Sequence, residues 1–149
     1  MEEALPEEIA EASARRRIVA APPASKRFIL VDESRLYAES WRAVFACRYG
    51  PRVALESYRE PSEAAVRLGA DVSLLLVDLD LPFGNGPRLV TLAQERGVAT
   101  RRIVVLSSRH ADEMHVLFPP DSCLAVINKT EPQQQNAFLM IVDSIVLRH

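Results

Sequence analysis

Short apolar runs alternate along the chain with segments whose apolar residues recur at helical spacing. Five of the runs predict β-strands: residues 27–32 (RFILVD), 52–57 (RVALES), 72–78 (VSLLLVD), 101–108 (RRIVVLSS) and 123–128 (CLAVIN). Strands that alternate with helices form a parallel sheet covered on both faces, and right-handed crossovers leave few topologies. We therefore predict an α/β fold, a doubly wound five-stranded parallel sheet in the flavodoxin-like order 2-1-3-4-5.

Four segments predict the helices that cover this sheet: 34–50, 61–69, 86–97 and 131–148. In the first, apolar residues at helical spacing place Trp41 on the core face. Thr130 and Gln133 have the spacing of a capping box at the start of the last helix. Between the fourth and fifth strands, Pro119 and Pro120 limit any helix to two turns.

Composition indicates one globular domain that does not bind nucleic acid or a membrane. The 149 residues carry a formal net charge of only -2, and no apolar run is long enough to span a bilayer. Neither a signal peptide nor a metal-binding cysteine pattern is present, so we expect a cytoplasmic protein with Cys47 and Cys123 reduced in its core. We expect residues 1–25 to form an extension and linker that is either mobile or docked on a partner. We expect residues 26–149 to form the folded domain.

Acidic residues follow two of the predicted strands. Asp32 and Glu33 end the first strand and Asp78 ends the third, and these two strands are neighbours in the predicted order. Ligands of such sheets bind beyond the carboxyl ends of the strands, where strand order reverses. Because clustered carboxylates repel one another, we expect Mg²⁺ there. Ser107 and Lys129 end the fourth and fifth strands, which completes a set of groups suited to phosphoryl transfer.

At these positions the sequence resembles the receiver domains of two-component response regulators, over about residues 26–148. The resemblance rests on "VDES", on "DLDLPFGNG" with Asp78, Pro82 and Gly86, and on Ser107 and Lys129. Two spacings match the family pattern: Gly86 lies eight residues after Asp78, and Lys129 lies 22 after Ser107.

The resemblance implies a role for each of these residues. Asp78 would accept a phosphoryl group from a phosphohistidine on a sensor histidine kinase or phosphotransfer protein. Asp32, Glu33 and Asp78, with the backbone carbonyl of Asp80, would hold Mg²⁺ or Mn²⁺. Ser107 and Lys129 would bind the phosphoryl oxygens. The chain would then be a single-domain response regulator and not a classical enzyme, capable only of self-phosphorylation and slow autodephosphorylation.

Some positions depart from the family pattern. Val126 stands where many members carry a Tyr or Phe that changes rotamer, and Thr130 stands where a cis-proline often follows the lysine. The missing aromatic and the proline-broken helix after the fourth strand favour an alternative, a pseudo-receiver that binds proteins without being phosphorylated. Asp80 and Arg109 border the route of the hydrolytic water in the family, where they either pair and set the lifetime of the phosphate or are solvated surface charges.

Two further interpretations concern other functions and the oligomeric state. "LLLVDLD" also resembles the nucleophile motif of haloacid-dehalogenase-type phosphatases, but there the motif lies on the first strand and the metal-binding acids come later. The last helix is apolar nearly all round ("FLMIVDSIVL"), which predicts a homodimer through this helix or, alternatively, an N-terminal segment folded over it.

Overall fold

A computed structural model describes residues 25–109 and 122–147 of the chain. Five parallel strands form one sheet in the order β2-β1-β3-β4-β5, as predicted. The strands are β1 (Lys26–Val31), β2 (Val53–Tyr58), β3 (Leu74–Asp78), β4 (Ile103–Ser107) and β5 (Ala125–Asn128). The described helices are α1 (Arg35–Tyr49), α2 (Pro61–Ala65), α3 (Asn85–Glu95) and α4 (Pro132–Val146).

The sheet has an apolar cluster on each face. On one face α2 and α3 cover Ile29, Leu75 and Val105, and on the other α1 and α4 cover Leu30 and Leu76. Every residue of β3 and β4 is buried. This explains why the central strands read as continuous apolar runs, since side chains on both faces of a doubly covered sheet leave water.

The aromatic residues of α1 form the centre of the second cluster. Trp41 is buried, as predicted, and stacks on Phe45 at 5.3 Å between ring centroids. Both rings pack against Phe138 of α4. The N-terminus of α1 is capped by Ser34, whose hydroxyl accepts a hydrogen bond from the Tyr37 amide. This cap fixes the start of α1 directly after the acidic pair at the end of β1.

Three local predictions were wrong. Helix α4 is capped at Glu131 without a side-chain hydrogen bond, and the Thr130 hydroxyl donates instead to Asn128, so no capping box forms. Cys47 is exposed, because it lies on the solvent face of α1 between the buried Phe45 and Tyr49. Helix α2 ends at Ala65, four residues before the predicted end.

Other predictions fall outside the described residues. They are the extension at residues 1–24 and the two-turn limit before Pro119 and Pro120. In the part of the chain that is described, no helix has the length and apolarity to cross a membrane.

Candidate functional site

The register of the sheet brings the predicted site residues to one edge. Val31 pairs with Val77, so Asp32, directly after Val31, lies beside Asp78. On the other side of β3, Asp78 pairs with Leu106, and Ser107 pairs with Asn128, which precedes Lys129. The carboxyl ends of four neighbouring strands therefore present their polar residues to the same crevice.

Lys129 lies between the two buried acids of this crevice. Its Nζ atom is 2.7 Å from Asp32 Oδ2 and 3.6 Å from Asp78 Oδ2. Asp32 and Asp78 are only 2% and 5% exposed, so the ammonium neutralises charge that water cannot reach. Burial lowers the pKa of Lys129, but its hydrogen bond to Asp32 and the charges of both acids outweigh this effect and raise the pKa overall.

Asp78 is the less compensated of the two carboxylates. Its Oδ1 atom accepts a hydrogen bond from the Asp80 amide at 2.9 Å. Burial, together with the nearby charge of Asp32, raises the pKa of Asp78 despite this bond and despite Lys129. Lys129 therefore compensates the ionised carboxylate only in part, and an additional cation would lower its free energy.

Ser107 is held by Asp80 in the described structure. The Ser107 hydroxyl lies 3.3 Å from Asp80 Oδ1, and it accepts a bond from the Arg109 amide at 3.0 Å. The other Asp80 oxygen accepts from both the amide and the hydroxyl of Ser108. Arg109 Nε lies 3.6 Å from Asp80, so these two residues do pair. Partial burial opposes ionisation, but the serine hydrogen bonds and Arg109 lower the pKa of Asp80 overall.

Two residues that the sequence interpretation missed also shape the crevice. Asn128 is buried, and its side-chain amide donates a hydrogen bond to the Arg109 carbonyl at 3.0 Å. This bond connects the end of β5 to the loop after β4. The ring of Tyr37 faces Lys129, whose Nζ is 4.4 Å from the ring centroid. The sequence did contain a signal for Asn128, because it is a polar residue at the end of the apolar run "AVIN", as Asp78 is at the end of β3. Tyr37 gave no such signal, because its contact with Lys129 arises only from the packing of α1.

The predicted acidic cluster is only partly assembled. Asp32 and Asp78 share Lys129, whereas Glu33 is exposed and contacts Arg59 through its backbone carbonyl. Within the described ranges, no group of three or more His, Cys, Asp or Glu side chains could hold a metal ion. Two carboxylates nevertheless fit Mg²⁺, which usually binds to one or two carboxylates, phosphate oxygens and water. The partly uncompensated charge of Asp78 favours such a cation.

A surface cavity of about 510 Å³ borders the crevice and includes Asp80 and Arg109 in its lining. Phe83 also lines it, is 88% exposed and has a φ of 61°, a conformation that bulky residues rarely adopt. Gly86 lies at the base of this loop. A Cβ atom there would come within 2.8 Å of the Asp78 carbonyl, so the loop requires glycine at this position.

Solved structures that resemble this one are response regulator receivers. The phosphorylated cyanobacterial phytochrome response regulator RcpA is 20% identical, with a TM-score of 0.64 over 84% of this chain and 96% of that chain. A response regulator from Clostridium difficile is 14% identical, with a TM-score of 0.66 over 83% and 97%. A receiver domain protein from Methanospirillum hungatei is 18% identical, with a TM-score of 0.63 over 80% and 93%. This chain has the fold of a receiver domain.

The likeness lies in the fold and not in overall sequence. No family model matches the chain, and a search of curated proteins finds no match. Structural similarity at such low identity establishes the receiver fold and the topology that positions the strand ends. What the strand-end residues of this chain do chemically does not follow from the fold.

Proposed function

We propose that this receiver-like domain is a response regulator that accepts a phosphoryl group on Asp78. The donor would be a phosphohistidine on a sensor histidine kinase or phosphotransfer protein. The main support is the position of Lys129, within 3.6 Å of both Asp32 and Asp78 at the carboxyl ends of adjacent strands. A buried carboxylate near an ammonium and a hydroxyl is equipped to form and hold an acyl phosphate.

The transfer exchanges one bond to phosphorus for another. A carboxylate oxygen of Asp78 attacks the phosphorus atom, the phosphorus–nitrogen bond breaks, and the imidazole nitrogen of the donor keeps the electron pair. Lys129 would then bind a phosphoryl oxygen, and the Ser107 hydroxyl would leave Asp80 and donate to another. Asp32 keeps Lys129 in place before the transfer through its 2.7 Å contact.

We further propose that Asp32 and Asp78 hold Mg²⁺ (or Mn²⁺), with Glu33 and the backbone carbonyl of Asp80 as additional ligands. When bound, the metal would supply positive charge to the attacking carboxylate and the phosphoryl oxygens. We expect the exchange in the cytoplasm, where ATP is available to charge the kinase. Slow loss of the phosphoryl group to water would be the only turnover, and the Asp80–Arg109 pair would influence its rate.

Intact mass spectrometry tests the phosphoacceptor. Wild-type protein incubated with acetyl phosphate and Mg²⁺ should gain the mass of one phosphoryl group, and omission of Mg²⁺ should suppress the gain. Asp78→Ala should gain nothing, whereas Asp71→Ala, which removes an exposed acid on the loop before β3, should behave as wild type. Failure of the folded wild type to gain mass would overturn the proposal and favour the protein-binding pseudo-receiver.

The signal would be passed on by protein–protein contacts, and we propose that one of these is a homodimer through α4. Met140 on this helix and Leu147 directly after it are 72% and 52% exposed and, with Asp143 and Ser144, line a shallow surface depression. Exposed apolar side chains grouped on one helix are typical of an interface.

Light scattering with two single variants tests the dimer. Met140→Glu should shift the protein to the monomer mass, because it introduces a charge into the proposed interface. The matched control is Leu36→Glu, which changes a residue that is 84% exposed on α1 and should leave the mass unchanged. A wild-type protein that is monomeric with and without acetyl phosphate would contradict the dimer.

A further inference from the structure

The ring of Tyr37 contacts Lys129 and Trp41. The Lys129 ammonium lies 4.4 Å from the centroid of the Tyr37 ring, a distance at which a cation is attracted to the aromatic face. The Tyr37 hydroxyl is buried and makes no hydrogen bond within the described structure. The position of this ring therefore depends on the lysine ammonium as well as on Trp41.

The same ring begins a series of aromatic contacts that ends in α4. Tyr37 meets Trp41 edge-on at 6.3 Å between centroids, and Trp41 meets Phe138 edge-on at 5.1 Å. Phe138 is a completely buried residue of α4, the helix that also carries the exposed Met140 and is followed by the exposed Leu147. Because edge-on aromatic pairs have preferred geometries, movement of one ring changes the favoured position of the next.

A phosphoryl group on Asp78 would compete with Tyr37 for Lys129. An attraction between a cation and an aromatic ring contributes about 0.5–2 kcal/mol. A phosphoryl group carries a charge of about −1.5 to −2 and offers three strong acceptor oxygens, so its pull on the ammonium is larger. Lysine has one ammonium, and moving it toward the phosphate withdraws it from the ring.

We propose that Tyr37 is a positioning residue for Lys129 and that it transmits the state of Asp78 through Trp41 to Phe138 and α4. This inference rests on the proposed phosphorylation of Asp78. In the unmodified protein the Tyr37 ring helps to hold Lys129 beside Asp32. In the phosphorylated protein the ring loses its cation and settles differently against Trp41. β5 offers no aromatic ring for this purpose at Val126.

The only tryptophan of the chain makes this coupling measurable, since Trp41 is itself the middle ring of the series. Wild-type Trp41 emission should change when acetyl phosphate is added in the presence of Mg²⁺, beyond any change that Mg²⁺ alone causes. Tyr37→Leu, compared with the wild type at an equal phosphorylated fraction measured by mass, should lose most of this emission change. Tyr37→Phe is the matched control: it keeps the aromatic face, removes only the hydroxyl, and should retain the response.

The outcomes separate the two proposals. No mass gain by the wild type defeats the proposed phosphorylation itself. A phosphorylated wild type with unchanged Trp41 emission overturns the coupling, and so does a phosphorylated Tyr37→Leu that responds as the wild type does. Tyr37→Met, with a flexible apolar side chain, provides a second variant if Tyr37→Leu fails to fold. If neither variant folds, the wild type still tests the coupling, because unchanged Trp41 emission on phosphorylation overturns it.

Discussion

Lys129 binds Asp32 more closely than it approaches the proposed phosphoacceptor, with its Nζ atom 2.7 Å from Asp32 Oδ2. The lysine side chain is 17% exposed and that of Asp32 only 1%, so this ion pair is largely shielded from water. Two buried acids thus share one cation before any phosphoryl group arrives. The charge balance of the crevice depends on this pair, and so do the first two predictions.

Lys129→Met should destabilise the fold, because it leaves Asp32 and Asp78 without their ammonium. Removing one partner of a buried ion pair costs about 3–5 kcal/mol, and partial exposure should reduce this to roughly 2–3 kcal/mol here. Chemical denaturation of the variant measures the loss. Adding Asp32→Asn to Lys129→Met should restore part of the stability, and strictly additive losses would contradict the coupling.

Asp78→Asn should stabilise the fold at neutral pH. The pKa of Asp78 is raised by burial, so the folded state binds this proton more tightly than the unfolded state does. The ionised carboxylate therefore costs stability above its folded pKa, and the cost disappears below about pH 4, where the acid is protonated in both states. Melting temperatures from pH 3 to pH 8 test this. An increase in melting temperature that is equal at pH 3 and pH 8 would exclude Asp78 ionisation as its cause.

Phe83→Asn should stabilise the protein by about 0.5–1 kcal/mol, because asparagine tolerates the positive φ of 61° better than phenylalanine does. Phe83 is 88% exposed, so little packing is lost. Phe83→Ala is the control: it removes the same ring but keeps the backbone penalty, and it should gain little. Equal gains for the two variants would show that the ring, and not the backbone, is the source.

Gly86→Ala should destabilise the protein by about 1–3 kcal/mol, the usual range for forced overpacking. The added Cβ atom would meet the Asp78 carbonyl and Leu79 Cα at 2.8 Å, both of them backbone atoms that cannot swing away. Gly84→Ala is the comparison, since no atom of the described residues lies within 4 Å of its Cβ position and its positive φ is what opposes the change. A smaller loss at Gly86 than at Gly84, measured by urea denaturation, would contradict this prediction.

Asp143→Asn should lower the melting temperature at neutral pH but not near pH 2. Arg48 donates two hydrogen bonds to Asp143 and the Tyr49 hydroxyl a third, which together join α1 to α4. These bonds lower the pKa of Asp143 to about 2. Because the folded pKa lies below the unfolded value near 3.9, the stabilisation is complete above about pH 4 and is lost as the pH falls toward 2. A pH-independent difference would mean that charge is not involved.

The sequence determined the fold and the locations of the strand-end residues. Apolar runs alternating with helical patterns allowed few topologies, and the observed order is the predicted one. Asp32, Asp78 and Ser107 were identifiable because each polar residue directly follows or ends an apolar strand. Cys47 was misplaced because a free cysteine is usually buried, and only the orientation of α1 shows that it points to solvent.

Only the tertiary structure decided which of these groups touch. Strand register places Lys129 against Asp32, and the loop after β3 returns the Asp80 side chain to Ser107 and Ser108. The packing of α1 brings Tyr37 over the Lys129 ammonium from a segment 92 residues earlier in the chain. Local sequence patterns encode burial and secondary structure, whereas contacts between distant side chains depend on the relative placement of whole elements.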